Sequence, residues 1–249
     1  MKKRRMRGRW LERKLKKVGR RFGMPMANDA KIKKYIDELP VGAELRVVFG
    51  GHWSDNPGWL IMDESDQDIT KPLSFATSSV DVAFSEHVVE HIPFVSAIHF
   101  FRETFRILKP GGIVRVVCPM LDVLRKVRLD DERGRRYRET VLDSSFDAER
   151  VALAALGLPG LETSPETFLF NAVFRGYGHL FIWDQKMLAA VLEKIGFKEA
   201  RAVAIGEGGN PDYCIERRRR GLYLGRDWRE ELRATEVYDP ETGIVEALK

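Results

Sequence analysis

The chain has 249 residues, of which 44% are hydrophobic and 10% aromatic, and its 42 Lys and Arg against 37 Asp and Glu give a formal net charge of +5. This composition is too apolar for a disordered chain, and the length suits one sizeable domain or two small ones. Two cysteines exclude a disulfide-framed secreted scaffold, and no apolar run approaches the about eighteen residues of a spanning helix, so we expect a cytoplasmic protein, either soluble or peripheral on the inner membrane face.

The first 23 residues are predicted to form a basic amphipathic helix. They hold twelve basic residues and one acid, whereas the 226 residues that follow hold 30 basic and 36 acidic residues. Apolar residues recur near helical spacing in this segment, namely Trp10, Leu11, Leu15, Val18 and Phe22. Such a helix favours an anionic membrane surface or a partner groove, and nucleic acid is the alternative target because basic arms also neutralise phosphates.

Residues 24–41 are interpreted as a connector with a short helix over 30–39, and the domain proper is expected over 42–249. Strands are predicted at 45–49, 59–62, 80–84, 113–118, 197–205 and 243–248, with helices at 94–108 and 184–196. Asp184 is the expected N-cap of the later helix. Short strands that alternate with helices are typical of a Rossmann-like α/β fold with a doubly wound, mainly parallel sheet.

Three finer features are expected within this pattern. The strand at 113–118 is predicted to be buried on both faces except at Arg115. Residues 109–112 (Lys-Pro-Gly-Gly) are predicted to form a turn. Residues 119–180 break the alternation and are interpreted as an insertion on the substrate side of the fold.

Polar residues and glycines fall at the carboxyl ends of the first three strands, where ligands bind in open α/β sheets. They are Gly50, Gly51 and His52 after the first strand, Asp63 and Asp68 after the second, and Ser85, Glu86 and His87 after the third. Glycine lets backbone N–H groups approach a ligand closely, and an acid after the second strand can accept both hydroxyls of a ribose. The pattern indicates a nucleoside-bearing cofactor, although a plain turn is the alternative for Gly50 and Gly51.

The same region resembles a known family. The runs are LRVVFGG, GWLIMDES, DITKPLSFATSSVDVAFSEHVVEHI and RETFRILKPGGIVRVVCP, and they resemble the core of the class I S-adenosylmethionine-dependent methyltransferases. The resemblance is closest to bacterial members found among sugar and cell-surface polysaccharide genes, and it continues through GHLFIWDQKMLAAVLEKIGF and GIVEALK. It implies a seven-stranded sheet with an antiparallel C-terminal strand.

The resemblance also implies the cofactor contacts. Gly50 and Gly51 would border the methionine part and Asp63 would hold the ribose. Asp68, with the backbone of Ile69, would lie by the adenine. Ser85, Glu86 and His87 would line the floor near the sulfonium. His52 stands where the family has a second glycine. Either its side chain would crowd the methionine carboxylate or the neighbouring Gly51 would take over the turn, so a non-catalytic scaffold is an alternative to an enzyme.

His87-Val88-Val89-Glu90-His91 also matches the His-x-x-Glu-His pattern of inverted zincin metallopeptidases. That interpretation requires a helix that carries both histidines, whereas here the pattern follows a strand end and precedes Pro93 at once. We therefore expect no metal from this sequence. His91 is interpreted as a buried histidine that hydrogen-bonds a loop.

Methyl transfer to a hydroxyl benefits from a general base. The candidate bases are His179, His87 and His91, with Asp122 and Tyr177 as further candidates from the insertion. His179 is favoured, and its alternative role is a loop clamp packed on the aromatic residues at 181–183. The resemblance and the basic leader together imply an enzyme that O-methylates a sugar, glycolipid or polysaccharide intermediate at the cytoplasmic membrane face, with RNA or a small metabolite as the alternative acceptor.

Overall fold

The structure is a computed structural model, and it describes residues 28–50, 56–127, 131–143, 146–218 and 241–249. The predicted leader helix over residues 1–23 lies outside the described residues, as do Gly51 and His52. None of the helices in the described ranges is long and apolar enough to cross a bilayer.

The described chain begins with a helix, α1 (Asn28–Glu38), and then alternates strands with helices. The strands are β1 (Arg46–Phe49), β2 (Leu60–Met62), β3 (Val80–Glu86), β4 (Leu108–Pro119), β5 (Lys198–Val203) and β6 (Thr242–Leu248). The further helices are α2 (Phe94–Ile107), α3 (Leu121–Leu124), α4 (Glu132–Asp143), α5 (Asp147–Ala155), α6 (Pro165–Asn171) and α7 (Gln185–Ile195). Each strand predicted from the sequence is present, and Asp184 caps α7 by accepting a hydrogen bond from the N–H of Met187 at 3.1 Å.

The strands form a single sheet in the order β2-β1-β3-β4-β6-β5. The pairs among β1, β2, β3 and β4 are parallel, and β6 is antiparallel to both of its neighbours. The predicted Rossmann-like fold with an antiparallel C-terminal strand is therefore confirmed. The described residues contain six strands rather than seven, because residues 63–79 after β2 form turns.

The two faces of the sheet are covered differently. Val47 and Phe49 of β1 point into a buried cluster to which α1, α2 and α7 contribute. Val48 lies between them and points to the opposite face, where Trp59 and Tyr213 cover it in the described part of the chain. This alternation fixes the register of β1, because a slip by one residue would exchange the two faces.

Arg115 in β4 is fully buried, so the prediction that this position breaks the burial of the strand is wrong. Its guanidinium pairs with Glu216, and also with Glu246 of β6 at 2.9 Å. Burial opposes the charge, but these carboxylates raise the pKa of Arg115 above its ordinary value. The sequence of β4 alone cannot predict that Arg115 is buried, because Glu216 and Glu246 lie 101 and 131 residues later in the chain.

The predicted turn at residues 109–112 lies inside β4 instead of between two elements. The pairing with β3 runs from Val80 opposite Leu108 to Val82 opposite Ile113, so residues 109–112 bulge out against one residue of β3. Gly111 has a φ of +79°, which agrees with the glycine composition from which the turn was predicted.

The insertion has a small core of its own. Residues from α3, α4, α6 and the loop before α7 form this buried cluster, which includes Leu124, Tyr137, Leu169 and Ile182. Trp183, directly after the cluster, returns the chain to the sheet, because its carbonyl oxygen accepts the N–H of Leu121 at 2.7 Å. The insertion therefore ends next to the strand edge where the polar residues collect.

Candidate active site

Three strands end side by side at the carboxyl edge of the sheet. Phe49, the last residue of β1, is in register with Met62 of β2 and with Ser85 of β3. The chain leaves β1 toward β2 on one side, whereas β3 lies on the other, so strand order reverses here. Gly50 and Asp63 follow their strands at this point, where open α/β sheets bind ligands.

Gly50 allows the loop after β1 to approach the loop after β3. Its φ of +89° is a left-handed value that favours glycine. A Cβ atom on Gly50 would lie 1.9 Å from Cγ2 of Val88 and 3.0 Å from the carbonyl oxygen of Glu86. The glycine is therefore required by a close contact as well as by its own conformation, which is more than a plain turn demands.

Asp63 organises the loop after β2. Its Oδ1 accepts hydrogen bonds from the N–H and the hydroxyl of Ser65, both at 2.6 Å, and from the N–H of Asp66 at 3.1 Å. Partial burial opposes ionisation, but these bonds and the Lys31 ammonium hold the pKa of Asp63 below its ordinary value. In the described part of the chain its Oδ2 accepts no hydrogen bond, and a contact of this oxygen with a ribose stays a prediction.

Asp68 and Ile69 lie in the same loop. Oδ1 of Asp68 accepts the N–H of Thr70 at 3.1 Å and its hydroxyl at 2.7 Å, while the side chain of Ile69 belongs to the buried core. These hydrogen bonds of Asp68 stay within its own turn. An adenine contact through its second oxygen or through the backbone of Ile69 stays a prediction.

Ser85 and Glu86 end β3 and are both buried. Among the described residues, the hydroxyl oxygen of Ser85 has no hydrogen-bond partner. Leaving a buried polar atom unsatisfied costs about 1–3 kcal/mol, and a polar ligand at the strand end would remove that cost. The residues present therefore fit a cofactor with polar groups at this edge.

Three histidines surround a buried glutamate just beyond β3. Glu90 is 0% exposed, and its Oε1 lies 3.2 Å from Nδ1 of His87 and 3.9 Å from Nε2 of His91. The ring of His179 meets the ring of His91 edge to face, with their centroids 4.7 Å apart. The structure thus brings together all three proposed catalytic residues, and we name His87, Glu90, His91 and His179 the histidine cluster.

The backbone after β3 turns sharply to form this cluster. His87 has a φ of +49°, an uncommon value for a residue with a side chain, and its N–H donates to the carbonyl of Val117 at 2.9 Å. Val89–His91 then form a single 3-10 turn. The carbonyl of Glu90 accepts the N–H of Leu180 at 2.7 Å, which ties the insertion to the cluster. Strained conformations of this kind concentrate at functional sites.

His179 is fixed in one tautomer by the insertion. Its Nδ1 is hydrogen-bonded to the carbonyl of Val173, so Nδ1 carries the proton and Nε2 carries the lone pair. Burial lowers the pKa of His179, which favours the neutral ring. The described ring contacts of His179 are with His91 and with Tyr177, at 5.7 Å, and not with the aromatic residues at 181–183 of the loop-clamp alternative.

Two other residues have roles that differ from the expectation. His91 is not a buried histidine, because its side chain is 38% exposed at the outer end of the 3-10 turn while Glu90 faces inward. Asp122, a candidate base, accepts the N–H of Gln185 at 3.1 Å and so stabilises the first turn of α7.

Glu90 is the member of the cluster that the sequence did not single out as a site residue. Glu90 is the glutamate of the His-x-x-Glu-His pattern, but in a zincin that pattern lies on one helix. The actual backbone is one 3-10 turn, and the third histidine comes from the insertion. Proximity of that kind depends on tertiary structure.

The sequence profile of a family described as a methyltransferase domain matches residues 55–116 of this chain. No curated protein sequence matches the chain with significance. Similar solved structures include a SAM-dependent methyltransferase from Thermotoga maritima, with 14% identity, a TM-score of 0.40 and 90% of each chain covered. Another, from Archaeoglobus fulgidus, has 11% identity and a TM-score of 0.43, with 89% of this chain and 92% of that chain covered.

The matched segment runs from the loop after β1 through β3 and α2 into β4, and it contains Asp63, Ser85, Glu86 and the first three members of the histidine cluster. Its strand-end residues belong to the sequence runs on which the resemblance rests. The match shows a methyltransferase domain in residues 55–116, and the Rossmann-like sheet with its polar carboxyl edge agrees with an enzyme that uses S-adenosylmethionine as its cofactor.

Proposed function

We propose that the protein methylates a hydroxyl group of a sugar or glycolipid intermediate, and that the acceptor binds at the histidine cluster. The observation that carries this proposal is the contact between Nδ1 of His87 and the buried carboxylate of Glu90 at 3.2 Å. A carboxylate beside one imidazole nitrogen orients the ring and stabilises the imidazolium that forms when the other nitrogen takes a proton. His87 is accordingly the general base of this proposal.

The neighbouring residues hold the reactants in line. Gly50, Asp63 and Ser85 would hold the cofactor at the ends of β1, β2 and β3. When bound, S-adenosylmethionine supplies a methyl group that is already activated by the positively charged sulfur. His87 would take the proton of the acceptor hydroxyl, and the oxygen left by that proton would be the group that receives the methyl. Such positioning can contribute roughly 7–11 kcal/mol.

The sugar or glycolipid acceptor is supported by the resemblance to methyltransferases found among polysaccharide genes. Exposed apolar residues of the insertion, Phe174, Tyr177 and Leu180, lie close in sequence to His179 and suit an acceptor with an apolar portion. A location on the inner membrane face is supported by the basic, amphipathic composition of residues 1–23. The insertion is the part of such folds that usually sets acceptor specificity.

The test is methyl transfer from radiolabelled S-adenosylmethionine to nucleotide sugars and lipid-linked saccharides, with RNA as a competing acceptor. We expect transfer to a saccharide hydroxyl. We also expect His87→Asn to lower kcat by about 10²–10⁴-fold, because that is the usual contribution of a general base. Asparagine tolerates the positive φ of this position, so the backbone can be kept.

Binding of S-adenosylhomocysteine, measured by calorimetry, separates the base from the cofactor site. His87→Asn should retain most of this affinity, and His99→Asn on α2 is the matched control that should retain full activity. Transfer to RNA but to no saccharide would refute the acceptor class. Full activity of His87→Asn would refute the base.

A further inference from the structure

We infer that Glu90, His91 and His179 form a binding site for one divalent transition metal ion, which holds the acceptor oxygen during methyl transfer. The metal site stands on the geometry of these three residues, and its role in transfer rests on the proposed function. It goes beyond the expectation from the sequence, which included no metal.

The donor atoms are already close together. One ligand atom from each of the three residues lies within 4.8 Å of the other two. Nitrogen and oxygen ligands at about 2.0–2.1 Å from a tetrahedral zinc ion stand roughly 3.3 Å apart. The donor atoms must therefore move closer together to bind an ion. Rotation of the partly exposed His91 ring would supply most of this movement, since its Nε2 is 3.9 Å from Oε1 of Glu90.

The ring of His179 is held by a hydrogen bond of the kind that usually orients a metal-bound histidine. A histidine that binds a metal usually donates its other ring N–H to a carbonyl or carboxylate, which fixes the tautomer and the ring orientation. The carbonyl of Val173 takes this role, and Val173 lies in the π-helical turn Ala172–Gly176, a type of turn frequent at functional sites.

The donor set defines the class of ion. Two imidazole nitrogens and one carboxylate oxygen suit zinc, manganese, iron or cobalt in the divalent state, and they leave coordination positions open for a substrate oxygen. The site therefore favours borderline ions over soft ions.

The proposed site differs from a zincin site in structure, although residues 87–91 match the same sequence pattern. A zincin carries both histidines on one helix, whereas here His91 is the last residue of a 3-10 turn and His87 precedes that turn with a left-handed backbone. The ion would take His91 together with His179 of the insertion. His87 would stay beside Glu90 as the base for a hydroxyl whose pKa the ion lowers.

The test uses the full chain without an affinity tag, stripped of metal and titrated with Co²⁺ and Zn²⁺. We expect one Co²⁺ per chain, with visible absorption bands that Zn²⁺ removes by competition. His179→Ala and His91→Ala should each weaken Co²⁺ binding by at least about 10-fold. Loss of a residue that only orients a metal ligand already weakens binding by about that factor, and these two histidines would bind the ion directly. His99→Ala, which removes a histidine outside the cluster, should leave Co²⁺ binding unchanged.

Two further measurements separate the possible failures. Circular dichroism and S-adenosylhomocysteine binding show whether each variant is folded, and the partly exposed His91 is the variant least dependent on core packing. If S-adenosylhomocysteine binds but no Co²⁺ binds, or if His91→Ala and His179→Ala bind Co²⁺ like the parent chain, the metal site is refuted and the methyltransferase stands. If Co²⁺ binds as expected but transfer is unaffected by its removal, the site stands and the role in transfer is refuted.

Discussion

At the scale of single residues, Gly50 shows how a strand end is brought close to its neighbour. Two glycines with nearly equal backbone angles differ in what surrounds them. Gly50, with φ +89°, would place a Cβ 1.9 Å from Val88, whereas Gly42, with φ +81°, has no atom within 4 Å of that position in the described residues. Backbone strain and steric contact can therefore be measured separately in one protein.

We expect Gly42→Ala to cost about 1 kcal/mol in the free energy of unfolding, because alanine is strained at positive φ. Gly50→Ala should cost about 1–3 kcal/mol more, since the added methyl overpacks against Val88. Urea denaturation of both variants gives the comparison. Adding Val88→Ala to Gly50→Ala should recover part of the extra loss, and equal costs for the two glycine variants would contradict the steric explanation.

The sequence predicted those site residues whose positions depend on local pattern. Gly50, Asp63 and Ser85 could be placed at one edge because parallel strands share a carboxyl edge. The sequence could not predict that Glu90 faces three histidines, because His179 belongs to an insertion whose sequence has no regular periodicity. The exposure of His91 was predicted wrongly because one 3-10 turn, which has no repeat to recognise, decides which of Glu90 and His91 faces inward.

At the scale of elements, the two carboxylate oxygens of Asp63 differ in the hydrogen bonds that they accept within the loop after β2. Oδ1 of Asp63 closes the turn through Ser65 and Asp66, and Oδ2, which accepts no hydrogen bond from the described residues, is the oxygen predicted to contact the ribose. A substitution by alanine would remove both functions at once. Asparagine keeps an oxygen for the turn but has no negative charge, and it therefore isolates the contact with the ribose.

We expect Asp63→Asn to weaken S-adenosylhomocysteine binding by about 10-fold or more, because hydrogen bonds to a charged group contribute about 1.5–3 kcal/mol. Calorimetric titration measures the affinity, and the thermal midpoint shows that the turn is retained. Asp37→Asn, on the exposed side of α1, is the charge-matched control. An affinity equal to that of the parent chain would show that Asp63 does not hold the ribose.

At the scale of the whole molecule, one buried ion triad joins segments that are far apart in the sequence. Arg115 of β4 bonds to Glu216 and Glu246, which are 101 and 131 residues away. The same carboxylates accept the N–H groups of Gly206 and Gly209, both at 2.9 Å, and so hold the chain after β5. The pairing follows from β6 lying beside β4, which the periodicity of β4 alone cannot indicate.

We expect Arg115→Met to destabilise the protein by about 3–5 kcal/mol, because it leaves Glu216 buried without its cation and leaves Glu246 with only Arg201, at 3.7 Å. The expected cost exceeds that of Lys109→Met, whose half-exposed pair with Asp81 is worth at most about 1 kcal/mol. The free energy of unfolding in urea distinguishes the two. Combining Arg115→Met with Glu216→Gln and Glu246→Gln should recover part of the loss, since the amides keep oxygens for Gly206 and Gly209 while removing the buried charges. A loss for Arg115→Met no larger than that for Lys109→Met would show that the triad does not hold the C-terminal strand pair on the sheet.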